Sequence, residues 1–254
     1  MRQKLTLIYG GAAYLLFLGA FLYAIGFVGN LLVPKSIDSG IAGATGQAII
    51  VNLLLLGLFG LQHSGMARPA FKRWWTKIIP KSIERSTYVL FASLTLVLLF
   101  WQWRPLPAVL WDVQIQWLRV LLWALFGLGW GIVLAATFMI SHTHLFGLKQ
   151  VYDHAQGKEQ AGPKFQTPGL YRYLRHPLML GFFIAFWSTP RMTVGHLLFS
   201  AVTTGYILIA VQLEERDLMH RFGERYRRYR QQVPMFFPRI RRNQTQSDPR
   251  EPAV

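Results

Sequence analysis

LTLIYGGAAYLLFLGAFLYAIGFVGNLLV, residues Leu5–Val33, carries no charged side chain. About 20 apolar residues in a helix cross the ~30 Å hydrocarbon core of a bilayer, so this run is long enough to span one. Arg2 and Lys4 precede it, as in a secretory signal peptide, but it outruns a signal h-region and no small-x-small cleavage site follows. It is read as a retained span. Four more stretches repeat the pattern: Ile41–Met66, Ser86–Trp103, Trp117–Ile140 and Met192–Leu213. Between the last two lies a brief sixth, Leu178–Ser188, short for a full crossing. Either it starts earlier, near Tyr171, with Pro177 as a kink, or it is one arm of a buried helical hairpin. The expected fold is all-α, a polytopic transmembrane helical bundle of five long spans plus a short hairpin arm. One domain covers residues 1–242, and the polar, proline-containing stretch 243–254 is read as a disordered cytoplasmic tail.

Composition agrees. The 254 residues are 52% hydrophobic and 15% charged, against ~25% charged in soluble domains. A net charge of +16 can serve nucleic acid, but no basic groove interleaved with aromatics is present, so no nucleic-acid partner is expected. Topology explains the charge better. With six passes and both termini inside, 23 of the 27 Lys and Arg fall in cytoplasmic segments, leaving Lys35, Arg104, Arg119 and Arg191 on the far side. That bias predicts a multi-pass membrane protein with both termini cytoplasmic, in contact with membrane lipids. Trp101, Trp103, Trp111 and Trp117 are expected as an aromatic belt at the far interface. The absence of cysteine excludes disulfides, thiolate metal sites and a cysteine nucleophile. Oligomeric state is not encoded in any feature of the chain.

Four polar clusters lie at the cytoplasmic ends: Gln62-His63-Ser64, Ser141-His142-Thr143-His144, Gly169 to Pro177, and Glu214 to Asp217 continuing to Tyr226 and Tyr229. Ionisable groups near membrane depth are costly, which makes them site candidates. His63 and His142 are equally readable as interfacial histidines bonded to a loop backbone. His142 and His144, two apart, point to different helix faces and lack a third ligand, so no metal is expected. Gly127, Gly129 and Gly131 sit inside an apolar span, where Gly127 and Gly131 are expected to allow close helix packing. The tail arginines read as a solvated face or a lipid-headgroup patch. Glu214 and Glu215 end an apolar helix about 100° apart, so one can face a pocket while the other faces solvent or an arginine. With Arg175-His176 they could bracket a zwitterionic or nucleoside cofactor, or form an interhelical pair that orients the two hairpin arms. Both readings stand on these residues.

Gly169-Leu170-Tyr171-Arg172-Tyr173-Leu174-Arg175-His176-Pro177, then Gly181, Glu214-Glu215, Phe222-Gly223, Tyr226, Tyr229, Val233-Pro234 and Pro238, resembles the signature of the isoprenylcysteine carboxyl methyltransferase superfamily. The upstream blocks Gln62-His63-Ser64, Ile83 to Tyr88 and His142 to Gln150 are similar to its bacterial methanethiol S-methyltransferase family, among NnrU-like membrane proteins. The likeness implies a membrane enzyme without a Rossmann domain that uses S-adenosyl-L-methionine. It implies cofactor binding within about 141–238, by Arg175, His176, Glu214 or Glu215, with Tyr171, Tyr226 and Tyr229 shaping the pocket. His63, His142 and His144 become catalytic candidates around a small thiol, methanethiol, whose product is dimethyl sulfide. Met179 departs from the aromatic usual two residues after His-Pro. A neutral histidine suits removal of the thiol proton. The competing readings are a lipid-like acceptor (a prenylcysteine or a phospholipid), a transporter, and a nicotinamide-dependent membrane reductase. Polar residues confined to one side argue against a transport path.

Overall fold

The computed structural model describes residues 2–158 and 165–237. The tail 243–254, Lys164 and Pro238 lie outside them. In chain order the elements are α1 (Arg2–Gly29), α2 (Thr45–Ala67), α3 (Pro69–Trp75), α4 (Lys81–Gln102), β1 (Val109–Asp112), α5 (Gln116–Ile140), α6 (His142–Leu145) and α7 (Leu148–Ala155). A single 3-10 turn (Gly169–Arg172) follows, then α8 (Pro177–Trp187), β2 (Arg191–Thr193), α9 (Val194–Phe222) and α10 (Glu224–Gln232). Five of the helices, α1, α2, α4, α5 and α9, are long and apolar enough to cross a membrane. The expected bundle of five long spans and a short arm is what the chain forms. Helix α4 starts at Lys81, earlier than Ser86, and α9 runs on past Leu213 to Phe222.

The sixth apolar segment takes the second of its two readings. Pro177 opens α8 rather than kinking a longer helix, because a proline at the first position gives up only an N–H that would have no partner there. Eleven residues rise about 16 Å at ~1.5 Å each, roughly half a hydrocarbon core. The non-helical residues before α8 need other backbone partners, and the C-terminal segment supplies them. Arg175 N donates to Pro234 O at 2.9 Å and His176 N to Met235 O at 3.2 Å. Irregular backbone of this kind survives beside lipid only where protein covers it.

Lipid-facing side chains such as Leu15, Ile50, Leu54, Phe138 and Ile209 are exposed, while one inner cluster joins all six apolar helices through Phe27, Leu56, Phe100, Trp130, Phe186 and Phe199. Apolar helices gain little by exchanging lipid for one another, so close packing and buried polar bonds hold them together. The closest packing is between α5 and α8, and it uses Gly129, not Gly127 or Gly131. A methyl on Gly129 would lie 2.5 Å from Ala185 N and 2.7 Å from Gly181 O, whereas Gly127 and Gly131 face open space. The helix rotation that buries Trp130 and Phe126 decides which glycine meets α8.

A two-stranded antiparallel ribbon, absent from the all-helical expectation, closes the end opposite the basic loops. It pairs Val109 with Thr193, Trp111 with Met192 and Asp112 with Arg191. Trp101 and Trp117 are exposed as belt residues, at 68% and 67%, but Trp103 is fully buried. It follows the last residue of α4, turns inward, and its indole N–H donates to Ile37 O at 3.0 Å. Buried Asn52 of α2 fastens the same corner, bonding Arg104 O at 2.8 Å and Arg104 N at 2.9 Å.

Gly129→Ala is expected to cost about 1–3 kcal/mol, because the neighbours it meets are backbone atoms that cannot repack. Gly127→Ala and Gly131→Ala are expected to be neutral or stabilising, since alanine is the better helix former by about 1 kcal/mol. Thermal unfolding of the three variants in detergent checks both expectations.

Candidate active site

Helix α9 carries its polar end beyond the apolar stretch, and Gly223 turns the chain back. Its φ of 53° lies in the left-handed region that glycine adopts without strain. Helix α10 therefore folds back toward α9 and brings Tyr226, Tyr229 and Arg230 to the glutamates. Glu215 is 2% exposed. Its Oε1 accepts from Arg175 Nε at 2.7 Å and meets His176 Nε2 at 3.1 Å. Arg230 Nε lies 3.2 Å from Oε2, close enough for ion pairing but outside hydrogen-bonding geometry, so Oε2 has no hydrogen bond among the described residues. Arg175 spends Nη1 on two carbonyls, Arg230 O at 2.9 Å and Val233 O at 2.7 Å. Its Nη2 takes no partner among the described residues. The interhelical Arg–Glu pair read from the sequence is thus present, tying the entry to α8 to both α9 and α10.

Glu214 behaves differently. Its side chain is half exposed, with Oε2 4.0 Å from His176 Nδ1. Its carboxylate acts electrostatically on the hydroxyls of Tyr171, Tyr226, Tyr206 and Tyr88. Of the two adjacent carboxylates, one is locked in the frame and the other is half exposed beside His176. Tyr229 donates its hydroxyl to Tyr171 O at 2.6 Å. Burial pushes the Tyr229 phenol up to about 12, and burial followed by the Glu214 charge raises that of Tyr171. Both keep their protons at neutral pH. All seven residues expected around the cofactor share this cluster. Beside it an open groove of about 420 Å³ is lined by Phe165, Thr167, Arg225, Arg228, Tyr229 and Gln232.

The three histidines do not come together. His142 sits between α1 and α5, with Nε2 2.9 Å from Tyr14 Oη, Nδ1 2.9 Å from Thr137 Oγ1, and its ring stacked on Phe138 at 4.3 Å. Both ring nitrogens are engaged, and burial lowers its proton affinity. His144 lies near Arg85; burial, then the charges of Arg85 and Lys149, lower it too. His63 has one hydroxyl for both ring nitrogens, that of Tyr88 at 3.0 Å. Its neighbour Ser64 bonds Tyr206 at 2.9 Å, and Arg68 pairs with Asp217 of α9 at 2.9 Å. Residues the sequence reading left without a role are Tyr88, Arg85, Tyr206 and Arg230. Arg230 corrects the view of the tail arginines as a solvated face: its carbonyl and guanidinium both serve the Arg175–Glu215 network.

Arg175→Ala leaves Glu215 buried with weaker partners, and breaking a buried pair in this way costs about 3–5 kcal/mol. Glu214→Gln, at a half-exposed site, is expected to leave stability within about 0.5 kcal/mol of the parent. Urea or thermal denaturation of the two variants in detergent tests that contrast.

Residues 51–235 match the family model described as NnrU protein. The methanethiol S-methyltransferase of Mycobacterium tuberculosis is 60% identical, over 94% of this chain and 98% of its own length. Methanethiol S-methyltransferase 1 of Bradyrhizobium diazoefficiens is 56% identical, over 92% of this chain and 82% of its own length. Nurim of Sus scrofa is 30% identical, over 74% of this chain and 76% of its own length. No solved structure matches. On the family match and on identity across nearly the full length, the chain belongs to the NnrU family of membrane proteins and, within it, groups with the methanethiol S-methyltransferases.

Proposed function

We propose that the chain transfers the methyl group of S-adenosylmethionine to methanethiol, giving dimethyl sulfide, at a cytoplasm-facing site of the bacterial inner membrane. The observation that carries the reading is one guanidinium nitrogen and one carboxylate that the Arg175–Glu215 frame does not use. Among the described residues Arg175 Nη2 is an unspent donor, and Glu214 is a half-exposed carboxylate beside His176. These residues fit a zwitterionic nucleoside: the guanidinium for its carboxylate, Glu214 for its ammonium or ribose hydroxyls, and Tyr171, Tyr226 and Tyr229 for its apolar surface. When bound, S-adenosylmethionine supplies a methyl group activated by the sulfonium it leaves. Glu215 and His176 keep Arg175 in place, and such fixed geometry contributes several kcal/mol to a displacement reaction. The names of the similar enzymes favour methyl transfer over transport and a small thiol over a lipid. The Lys and Arg bias supports the orientation with both termini cytoplasmic.

The thiol must lose its proton, because the thiolate is the nucleophile. His63 is the assigned base. A neutral imidazole has one N–H and one lone pair: the N–H donates to the Tyr88 oxygen, and the other nitrogen keeps the lone pair that accepts the thiol proton. His142 has no nitrogen to spare, so it holds α1 to α5. His144 has no side-chain hydrogen bond among the described residues, and only its carbonyl is engaged, by Gln150.

Protein in detergent or liposomes is expected to form dimethyl sulfide from S-adenosylmethionine and methanethiol, read by headspace gas chromatography. Glu214→Gln is expected to lower kcat/KM by about 10–100-fold, the value of one charged hydrogen bond of ~1.5–3 kcal/mol. Binding of S-adenosylhomocysteine without product from methanethiol would redirect the acceptor to a prenylcysteine or phospholipid. No cofactor binding at all would end the methyltransferase reading.

A further inference from the structure

His63 is the first member of a three-residue stack whose other two members, Tyr88 and Arg85, have no assigned role. The His63 ring stacks on Phe59 with centroids 5.3 Å apart, and the buried Tyr88 hydroxyl lies 3.0 Å from either of its nitrogens. Arg85, one turn earlier on α4, places its guanidinium 4.7 Å over the Tyr88 ring. It is fixed there by Nε, which donates to Leu145 O at 2.6 Å.

Charge makes this stack unusual. Neighbouring cations are neutralised: Arg68 by Asp217 at 2.9 Å, Lys149 by Asp153 at 3.0 Å, Arg175 by Glu215 at 2.7 Å. Among the described residues no carboxylate pairs with Arg85 or with Lys72 of α3. Burial and then the Arg85 charge hold the Lys72 ammonium below the usual lysine range. Other charges act on this corner from Arg68 between α2 and α3, Glu84 of α4, His144, Lys149 and Asp153 of α6 and α7, and Glu214 and Arg221 of α9. Cations still outnumber anions around the ring of Tyr88. An uncompensated guanidinium held beside a candidate base is the arrangement a buried anion needs.

A thiol entering an apolar site resists ionisation, since burial disfavours the charged form. A cation within ~4–6 Å reverses that by about 1–3 pKa units. We propose that Arg85 is the cation that holds the acceptor as its thiolate, with Tyr88 positioning His63 to take the thiol proton; this rests on the thiol methyltransferase reading. In the step the S–H bond breaks, its electron pair stays on sulfur, and the proton passes to the unprotonated ring nitrogen of His63. The imidazolium then releases it to water.

The test uses full-length protein in detergent without cofactor, titrated with methanethiol while ultraviolet difference absorbance reports bound thiolate against pH. The wild-type protein is expected to ionise the bound thiol at least one pH unit below free methanethiol. Arg85→Gln is expected to cut the thiolate fraction about tenfold at a given pH, and Arg85→Lys to restore most of it. Tyr88→Phe is expected to lower kcat, with the loss recovered as pH rises and the thiol ionises by itself. A merely structural role would not produce that recovery. Affinity for S-adenosylhomocysteine, measured alongside by calorimetry, is expected to stay unchanged in all three variants. Equal ionisation in wild type and Arg85→Gln, or a Tyr88→Phe defect independent of pH, would overturn the assignment. Wild-type protein that binds S-adenosylhomocysteine but no thiol would instead overturn the acceptor reading on which it rests.

Discussion

The buried carboxylate of Glu215 is the constraint around which the basic end of the molecule is organised. One oxygen meets both Arg175 and His176, and Arg230 stands at the other. Three separate parts of the chain thereby share one charge: the irregular segment before α8, the end of α9, and α10. A buried ion pair of this kind adds little net stability, because desolvation offsets attraction. Its value lies in geometry. It fixes the direction of the Arg175 guanidinium and leaves Glu214, the preceding residue and about 100° round the helix, half exposed on the other side of the His176 ring.

That arrangement depends on the short arm. If α8 began near Tyr171, residues 171–176 would satisfy their backbone within a helix and have no use for Pro234 and Met235. Because α8 starts at Pro177, the preceding backbone is free to pair with the C-terminal segment. Close packing of Gly129 on Gly181 and Ala185 holds α8 against α5, and the β1–β2 ribbon holds its other end. A short helix anchored at both ends so makes room for an irregular, polar segment at the edge of the bundle.

The spans were legible because apolar length is a strong one-dimensional signal. The seven residues around Glu215 were legible because their motif lies in two compact blocks. What the sequence did not show depends on helix rotation and on contacts between distant segments. Gly129 rather than Gly127 meets α8 because of the phase of α5. Trp103 is a core residue rather than a belt residue because the chain turns inward just past α4. Asn52 looks like an isolated polar residue in a span until Arg104 is brought to it. Arg230 was hidden within a basic run, and the His63–Tyr88 pairing links residues 25 apart on different helices. His142 and His144 looked like one cluster but serve different neighbours, since one ring is held by Tyr14 and Thr137.

In the proposed site Glu215 is the frame, while Glu214 and Arg175 face the ligand. The most direct measurement is a cryo-electron microscopy structure of the protein with S-adenosylhomocysteine. The expected result is the ligand carboxylate on Arg175 Nη2 and Glu214 on its ammonium or ribose, with the Arg175–Glu215 pair unchanged. A ligand seated only in the groove of Phe165, Arg225 and Arg228, or one that pulls Arg175 away from Glu215, would contradict it.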